Sequence, residues 1–438
     1  MRSWVEAYEK LVELLGDLSD DALRKLDKNE EFNRLSEELK ARFVREVVGV
    51  EVRRAKLWLR KLNEAADNVA ALLGVKGLSL PREFASFTRD PEAHLRKKLF
   101  NYVFDLLRGK LSLEEFSSKA RAAVKTSLLT NKRSVYQTWV YVSIIVLLAK
   151  RGYRLVYPSD GYLHVERTGK QRTGKIPPNA VMARDLEALS FFIEAPRPIG
   201  WEDTSDLSRA WNLYIALRPD MLIYGGRVLN IVDFSNPETP ILRPDIILEC
   251  KELDDWYMRA RELKGPLVKP LTAEEWKVRW LEGLWDGLAD ILGVEREAAV
   301  DVARKRRGLR LKDQEIVALY AKFYNPKEAI LVTRARTPGD VKRALREMGV
   351  EVFDDISFNP RRLEPVVDIL ETFSVPEEVR ADFVELTPAA LGALNAIMRE
   401  LLERGLAASP QRIVEAALKA ASRDPDKVVA ELEDKRTR

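Results

Sequence analysis

The chain reads RPDIILECK from Arg243 to Lys251, and the predicted elements of the middle region are arranged around this stretch. The apolar, β-branched run 246–248, with a proline upstream and charged residues downstream, predicts a strand. Residues two apart on a strand point to the same face, so Glu249 and Lys251 share a face and Cys250 points the other way. A charged pair on an apolar strand is costly to bury without a partner. A metal ion with a substrate phosphate is a partner that fits this pair.

A second stretch with the same pattern, LRPDMLIY, begins at Leu217, about 25 residues earlier. Together the two stretches offer Asp220 and Asp245 as acidic neighbours of Glu249, and Asp233 lies between them. Asp245 is four residues from Glu249 on the same predicted strand. At ~3.3 Å per residue the two carboxylates would be roughly 13 Å apart, too far to share one ion on a straight strand.

The composition limits the chemistry that the chain can perform. With one cysteine and only His94 and His164 as histidines, a disulfide framework, a zinc site and a Ser-His triad are all disfavoured. Carboxylates are the main ligands that remain, and they suit Mg²⁺ or Mn²⁺. The net charge of +4 over 438 residues is small, so affinity for nucleic acid must come from local patches.

The class of protein follows from length and hydropathy. A hydrophobic content of 46% with 32% charged residues indicates a soluble globular protein, and 438 residues predict two or three domains. No apolar run reaches the ~20 residues of a spanning helix, and charges interrupt the first residues. We therefore expect a cytoplasmic protein with no membrane partner. Few glutamines and abundant Lys, Arg and Glu are typical of thermophilic proteins.

The patterning along the chain predicts three regions. Residues 1–131 read as a helical domain, with one long helix or a hairpin of two over 29–73 and an interruption at Gly49. This domain is either a scaffold, through which the chain forms a homo-oligomer or binds a partner subunit, or a nucleic-acid clamp. Residues 132–360 form an α/β domain, and residues 361–438 form a helical C-terminal region.

Within the middle region the predicted elements alternate. They are a loop over 78–91, a buried helix over 134–151, a hairpin of strands 153–157 and 162–167, a helix over 180–193, strands beginning at 220 and 228, the 246–251 strand, and a strand–helix–strand unit over 329–353. The last unit implies a parallel pair joined by a crossover helix.

This order resembles the PD-(D/E)xK nuclease superfamily, through Pro219-Asp220 and Glu249-Cys250-Lys251. The helix that begins Tyr136-Gln137-Thr138-Trp139 also resembles the one that opens the nuclease region of McrC-type members. The resemblance covers residues 134–356 and implies a restriction-endonuclease-like mixed sheet between helical ends. It also implies a Mg²⁺-dependent nuclease.

The resemblance assigns roles to the residues of the two motifs. Asp220 and Glu249 would hold Mg²⁺ or Mn²⁺, the backbone carbonyl of Cys250 would be a further metal contact, and Lys251 would assist the attacking water. Asp220 matches the Pro-Asp of the family and is favoured as second ligand, with Asp233 and Asp245 as alternatives. Members often carry an acid on the opening helix. Here Gln137 occupies that place, and Glu187 is the substitute expected to support the site.

Two cationic clusters are candidates for binding the nucleic acid, which we expect to be DNA. One comprises Arg304, Lys305, Arg306, Arg307, Arg310 and Lys312; the other comprises Lys170, Arg172 and Lys175. Three other interpretations stay open. The first makes Glu249 and Lys251 a solvated ion pair on an edge strand, the second makes the cations a solvated helix face, and the third makes the protein a nuclease-like binding subunit that does not cut.

Overall fold

The structure is a computed structural model of mixed α/β architecture, with helices at both ends of the sequence. It describes residues 3–17, 29–166, 176–195, 197–203, 209–214, 218–232, 242–262, 310–376, 379–380, 388–404, 406 and 408–434. The chain forms two compact units, Met1–Asp382 and Phe383–Arg438.

The helices of the described residues are α1 (Ser3–Asp17), α2 (Glu30–Leu73), α3 (Arg82–Arg89), α4 (Pro91–Lys97), α5 (Phe100–Leu107), α6 (Leu113–Lys150), α7 (Asp313–Tyr324), α8 (Gly339–Glu347), α9 (Glu364–Thr372), α10 (Pro388–Glu403), α11 (Pro410–Ala421) and α12 (Pro425–Asp434). The last three belong to the second unit and confirm the predicted short C-terminal helices.

The strands of the described residues are β1 (Leu78–Ser79), β2 (Arg154–Tyr157), β3 (Leu163–His164), β4 (Ala180–Arg184), β5 (Glu187–Ile193), β6 (Arg197–Asp203), β7 (Arg209–Tyr214), β8 (Met221–Gly225), β9 (Arg227–Val228), β10 (Ile246–Lys251), β11 (Ala260–Glu262), β12 (Arg310–Lys312), β13 (Glu328–Thr333), β14 (Val350–Phe353), β15 (Val375–Pro376) and β16 (Val379–Arg380).

Of the two predicted alternatives, one long helix or a hairpin of two, helix α2 is the single long helix. The side chain of Asn29 caps it by accepting a hydrogen bond from the Phe32 N–H at 2.9 Å. Gly74 ends it with φ 67°, a conformation that glycine adopts without strain. The interruption predicted at Gly49 is a kink at the neighbouring Val48, where φ is −140° and ψ is 16°.

Helix α6 joins two regions that the sequence analysis separates. It begins at a capping box between Ser112 and Glu115 and continues for 38 residues. The boundary predicted between residues 131 and 132 therefore lies within one helix. A single hydrophobic core also contains Trp4 of α1, Phe43 of α2, Leu248 of β10 and Leu370 of α9. Residues 1–131 thus pack into the same compact unit as the sheet.

Seven strands form the central mixed sheet, in the order β14-β13-β10-β8-β5-β4-β2. The short strand β15 pairs with the first two residues of β5. β10 lies between an antiparallel neighbour, β8, and a parallel neighbour, β13. The parallel pairing of β13 with β14, with α8 between them in sequence, confirms the predicted strand–helix–strand unit.

The sheet separates two cores, and the faces of β10 follow the predicted alternation. Ile246, Leu248 and Cys250 lie in the core that contains α6. Ile247 lies in the other core, with Leu319 of α7. Glu249 and Lys251 alternate with Cys250 and so belong to the α7 side.

Several predicted elements are wrong. Residues 180–193 form the antiparallel strands β4 and β5 rather than a helix. Every residue of β4 and β5 apart from Arg184, Glu187 and Ile193 at the strand ends is buried, so the period-two alternation that distinguishes a strand is absent. Asp185, with φ 53°, lies in the tight turn between the two strands.

The hairpin predicted over residues 153–167 is also absent, because β2 pairs with β4 and β3 pairs with β1. The loop predicted over 78–91 contains β1 and α3. Of the strand predicted over 228–234, the structure shows β9 up to Val228, and residues 233–234 lie outside the described residues.

Candidate active site

The two predicted motifs meet where β8 begins and β10 ends. Asp220 directly precedes β8, and its Oδ2 accepts a hydrogen bond from the Cys250 N–H at 2.7 Å. In return, the Asp220 N–H donates to Glu249 Oε2 at 3.2 Å. The antiparallel register of Met221 with Leu248 places Asp220 beside Glu249. Residues 29 positions apart in sequence therefore form one cluster.

Glu249 and Lys251 form a buried ion pair on one face of β10, as the spacing predicts. The Lys251 ammonium donates to Glu249 Oε1 at 2.8 Å. Glu249 is 6% exposed and Lys251 is 3% exposed. The interpretation as a solvated pair on an edge strand is wrong, because β10 lies between β8 and β13. Asp313, the first residue of α7, lies on the same side, with Oδ2 3.8 Å from Lys251 Nζ.

Gln137 of α6 completes the surroundings of Asp220. Its side-chain amide donates a hydrogen bond to Asp220 Oδ1. All four carboxylate oxygens of Asp220 and Glu249 thus accept a hydrogen bond from this chain, two from side chains and two from backbone N–H groups. These bonds fix the orientation of both carboxylates.

Burial and like charge change the acidity of this cluster. Removal from water, followed by the negative charge of Glu249, raises the pKa of Asp220 well above its usual range. Burial likewise raises the pKa of the Cys250 thiol, with Asp220 and Glu249 adding to the effect. The thiol is therefore protonated at neutral pH and packs in the core on the α6 side, on the face opposite to Glu249 and Lys251, as the strand alternation predicts.

The donor set fits a hard divalent cation. Asp220, Glu249 and Asp313 are three buried acidic residues, and Lys251 is the ammonium that lies within 4 Å of Glu249 and Asp313. Among the described residues, no group of three or more His, Cys, Asp or Glu side chains has the spacing of a metal site. Mg²⁺ commonly uses one or two carboxylates together with waters and substrate phosphates, and Asp220 with Glu249 satisfies that requirement.

Some predicted site residues lie elsewhere. Asp245 is at the opposite end of β10, where it accepts from the Gly225 N–H at 2.8 Å and pairs with Lys327 at 2.7 Å. Asp245 is thus separated from Glu249 along the strand, as the sequence predicts. Glu187 begins β5 rather than a helix, six residues from the end of that strand that adjoins Met221. It therefore does not support the site, and Asp233 lies outside the described residues.

Two acidic residues at the site, Glu194 and Asp313, are not predicted from the sequence. Glu194 follows β5, has φ 41°, and donates its N–H to the Asp220 carbonyl at 2.9 Å. It was missed because the preceding strand had been interpreted as a helix. Asp313 was missed because no sequence spacing links the start of α7 to Lys251; only the packing of α7 on β10 brings them together.

The predicted cationic clusters are mostly outside the described residues. This applies to Arg304, Lys305, Arg306 and Arg307, and to Lys170, Arg172 and Lys175. Arg310 and Lys312 belong to β12, which pairs with β11. Lys312 is exposed and directly precedes Asp313.

A large cavity opens beside Asp220. Its volume is about 1170 Å³, and it lies between the N-terminal helices and the start of β8. Asp220, Gln137 and Glu194 lie at one end of it, and a polar face of α6 that includes Thr130 and Ser134 forms a wall. One carboxylate of the cluster thus reaches a space large enough for a sizeable ligand.

Comparison with protein-family models, with curated proteins and with solved structures found no match. Within the part of the chain that the structure describes, no helix is both long enough and apolar enough to cross a membrane.

Proposed function

We propose that this protein is a metal-dependent nuclease that hydrolyses phosphodiester bonds of DNA. One observation carries the proposal: carboxylates from two neighbouring strands, Asp220 and Glu249, share a buried cluster with the Lys251 ammonium. A buried charge cluster of this kind costs stability, and such clusters concentrate at functional sites. The resemblance to PD-(D/E)xK nucleases assigns the same three residues.

Each residue of the cluster would have a separate role in phosphodiester hydrolysis. Asp220 and Glu249 would hold Mg²⁺ or Mn²⁺, with the Cys250 carbonyl as a further contact expected from the resemblance. When bound, the metal supplies Lewis-acid stabilisation of the phosphate oxygens. Lys251 would orient the attacking water and stabilise negative charge as it develops. Gln137 would hold Asp220 in place through the amide hydrogen bond.

Cleavage assays with matched variants test this proposal. Purified protein is incubated with Mg²⁺ or Mn²⁺ and labelled single-stranded, duplex and branched DNA. Glu249→Gln and Lys251→Met are expected to lower the cleavage rate by about 10²-fold or more. Lys61 and Glu64 form an ion pair of similar length, 2.7 Å, on the exposed surface of α2. Lys61→Met and Glu64→Gln are therefore controls, expected to cut like the wild type. Unchanged cleavage by both site variants would contradict the proposal.

A second candidate function is a nucleic-acid-binding or assembly subunit with the same fold that does not cut. The observation that favours it is that every carboxylate oxygen of Asp220 and Glu249 already accepts a hydrogen bond from this chain. A metal ion would have to use the second lone pair of an oxygen that already accepts one of these bonds, or displace the donor. Calorimetric titration with Mg²⁺ and Mn²⁺ separates the two functions, since salt-sensitive DNA binding without any metal binding supports the non-cutting subunit.

A further inference from the structure

A second cavity, of about 520 Å³, lies beyond the end of β10. Helix α2 contributes Arg54 and Trp58 to it, and helix α6 contributes Lys132. The rest of the wall is Arg334, which follows β13, and the acidic segment 252–255, which follows β10. The N-terminal helices and the sheet therefore build this cavity together.

Two cations in the cavity are held at the ring of Trp58. Lys132 Nζ lies 4.5 Å from the ring centroid, and the Arg334 guanidinium carbon lies 5.1 Å from it. Both distances are within the range of a cation–π interaction. Trp58 therefore positions cations that would otherwise repel each other, and its ring is already engaged by them.

The surroundings of Lys132 leave its ammonium without a bonded anion. Among the described residues it has no hydrogen-bond acceptor and no ion pair within 4 Å. Burial, then the charges of Arg334 and Arg54, lower the pKa of Lys132, while Glu252 and Glu51 act in the opposite direction. Among the described residues, Lys132 is therefore a half-buried cation that faces the cavity and has Trp58 as a partner but no hydrogen-bonded anion.

Two of the three acids of the wall are paired with other residues, and the third, the buried Glu252, raises the pKa of Lys132 through its charge. Asp254 forms an ion pair with Arg334, and Asp255 accepts two hydrogen bonds from Arg259. Arg334 also donates to the carbonyl of Glu252. Lys132 and the exposed Arg54 thus remain available to an anion that enters the cavity, and hydrogen bonds between such cations and a phosphate are strong.

Aromatic packing fixes the position of Trp58. Its ring lies 5.1 Å from that of Phe358, which in turn contacts Tyr136 at 5.5 Å and Trp139 at 5.0 Å. Phe358 has φ 56°, a conformation that bulky residues rarely adopt. The loop that contains Phe358 therefore has a strained backbone conformation that places the Phe358 ring against Trp58. This contact holds Trp58, and with it the two cations at its ring, in position before any ligand binds.

The cavity is close to the candidate active site. Lys132 is five residues before Gln137 on α6, which is ~7.5 Å along the helix. Glu252 directly follows Lys251 in sequence. We propose that Lys132 and Arg54 in this cavity bind a backbone phosphate of the nucleic-acid strand next to the phosphate at Asp220. This inference rests on the proposed function for its ligand, and it makes the N-terminal helices part of the substrate-binding surface.

DNA binding measured with the metal chelated tests the cavity separately from cleavage. The probe is a fluorescently labelled DNA oligonucleotide, single-stranded and then annealed to its complement, titrated by anisotropy over a salt series in EDTA. Each of Lys132→Met and Arg54→Met is expected to weaken binding roughly tenfold. The slope of log K against log salt should also become shallower by ~0.7–0.9 for each lost phosphate contact.

Lys110→Met is the matched control, since Lys110 is an exposed lysine 3.8 Å from Asp105. It should bind like the wild type. Arg54 is exposed, so a loss of binding in Arg54→Met cannot be attributed to misfolding. The proposal is wrong if both cavity variants keep the wild-type affinity and slope, if Lys110→Met loses as much, or if the wild type does not bind DNA. If the wild type cuts DNA but the salt slopes of Lys132→Met and Arg54→Met equal that of the wild type, the proposal for the cavity is wrong and the proposed nuclease function stands. If the cavity variants show the expected shallower slopes but the wild type does not cut DNA, the proposed nuclease function is wrong and the proposal for the cavity stands.

Discussion

Asp220 is buried beside a second carboxylate, and both conditions favour its protonated form. Burial first, and Glu249 second, raise its pKa in the folded protein. In the unfolded chain the pKa is ~3.9. Between these two values the folded state binds more protons than the unfolded state, so the free energy of unfolding falls as pH rises through this interval. The contribution of Asp220 to the stability of the metal-free protein is therefore fully present below about pH 3.9 and is lost as the pH rises through the raised pKa of the folded state.

Asp220→Asn is expected to remove this loss, because the neutral amide has the shape of the protonated acid. In EDTA at pH 7 the variant should have the higher melting temperature, and the difference from wild type should shrink as the pH is lowered towards 4. Thermal unfolding across this pH range measures it. Asp105→Asn, at an exposed carboxylate, is the control. A difference that does not change with pH would contradict the assigned cause.

Asp313 is expected to position Lys251 through the 3.8 Å contact between their charged groups. Asp313→Asn keeps the volume and removes the charge, so the ammonium should lose part of its orientation. If the protein cuts DNA, kcat should fall about tenfold or more while KM changes little, since an interaction with the reacting groups is lost rather than one with the substrate. Asp105→Asn again serves as control, because Asp105 is also 3.8 Å from a lysine but is exposed.

The core of the site was predictable, since it depends on strand alternation. The shared face of Glu249 and Lys251, the opposite face of Cys250 and the distance of Asp245 all follow from period two. Asp220 and Gln137 were expected at the site from the resemblance, and the structure brings both there. Glu194 and Asp313 could not be found in this way, because only pairing between distant segments places them there.

At the scale of elements, the stretch over 180–193 shows where patterning fails. Val181, Met182, Leu189 and Phe191 are all fully buried, from both faces of a central hairpin. A strand covered on both sides carries no alternation, and an apolar run of this length fits a helix equally well. The long helix α2 was predictable for the opposite reason, since one face is exposed and its stripe is clear.

Two glycines test how tightly neighbouring elements pack. At Gly49 an added Cβ would have no neighbour closer than 3.9 Å, so Gly49→Ala in α2 should stabilise the protein by about 0.5–1 kcal/mol. At Gly225 in β8 an added Cβ would lie 2.2 Å from the backbone carbonyl oxygen of Phe373. Gly225→Ala should therefore destabilise by about 1–3 kcal/mol. Urea unfolding of both variants measures the sign of the change in the free energy of unfolding. Equal changes in the two variants would contradict the packing described.

At the scale of the whole molecule, the core decides where the chain can be divided. The predicted boundary between residues 360 and 361 separates α9 from the sheet. Yet Leu363, Val366, Val367 and Leu370 are fully buried in the core that also contains α6 and β10. Glu371 of α9 pairs with Arg151 and Arg184 as well. Sequence periodicity reveals an amphipathic helix here but not the surface that the helix covers.

Two truncations follow from this arrangement. A chain of residues 1–382 keeps every residue of both large cores and should unfold within about 2 °C of the full-length protein, because the first unit loses no buried apolar side chain. A chain of residues 1–360 loses four fully buried aliphatic side chains, each worth about 1.5–3 kcal/mol. That sum is comparable to the whole stability of a typical protein, ~5–15 kcal/mol, so this chain should not fold cooperatively. Thermal unfolding of the two chains, followed by circular dichroism, tests both expectations. A cooperative transition in the shorter chain would show that α9 is not part of the core.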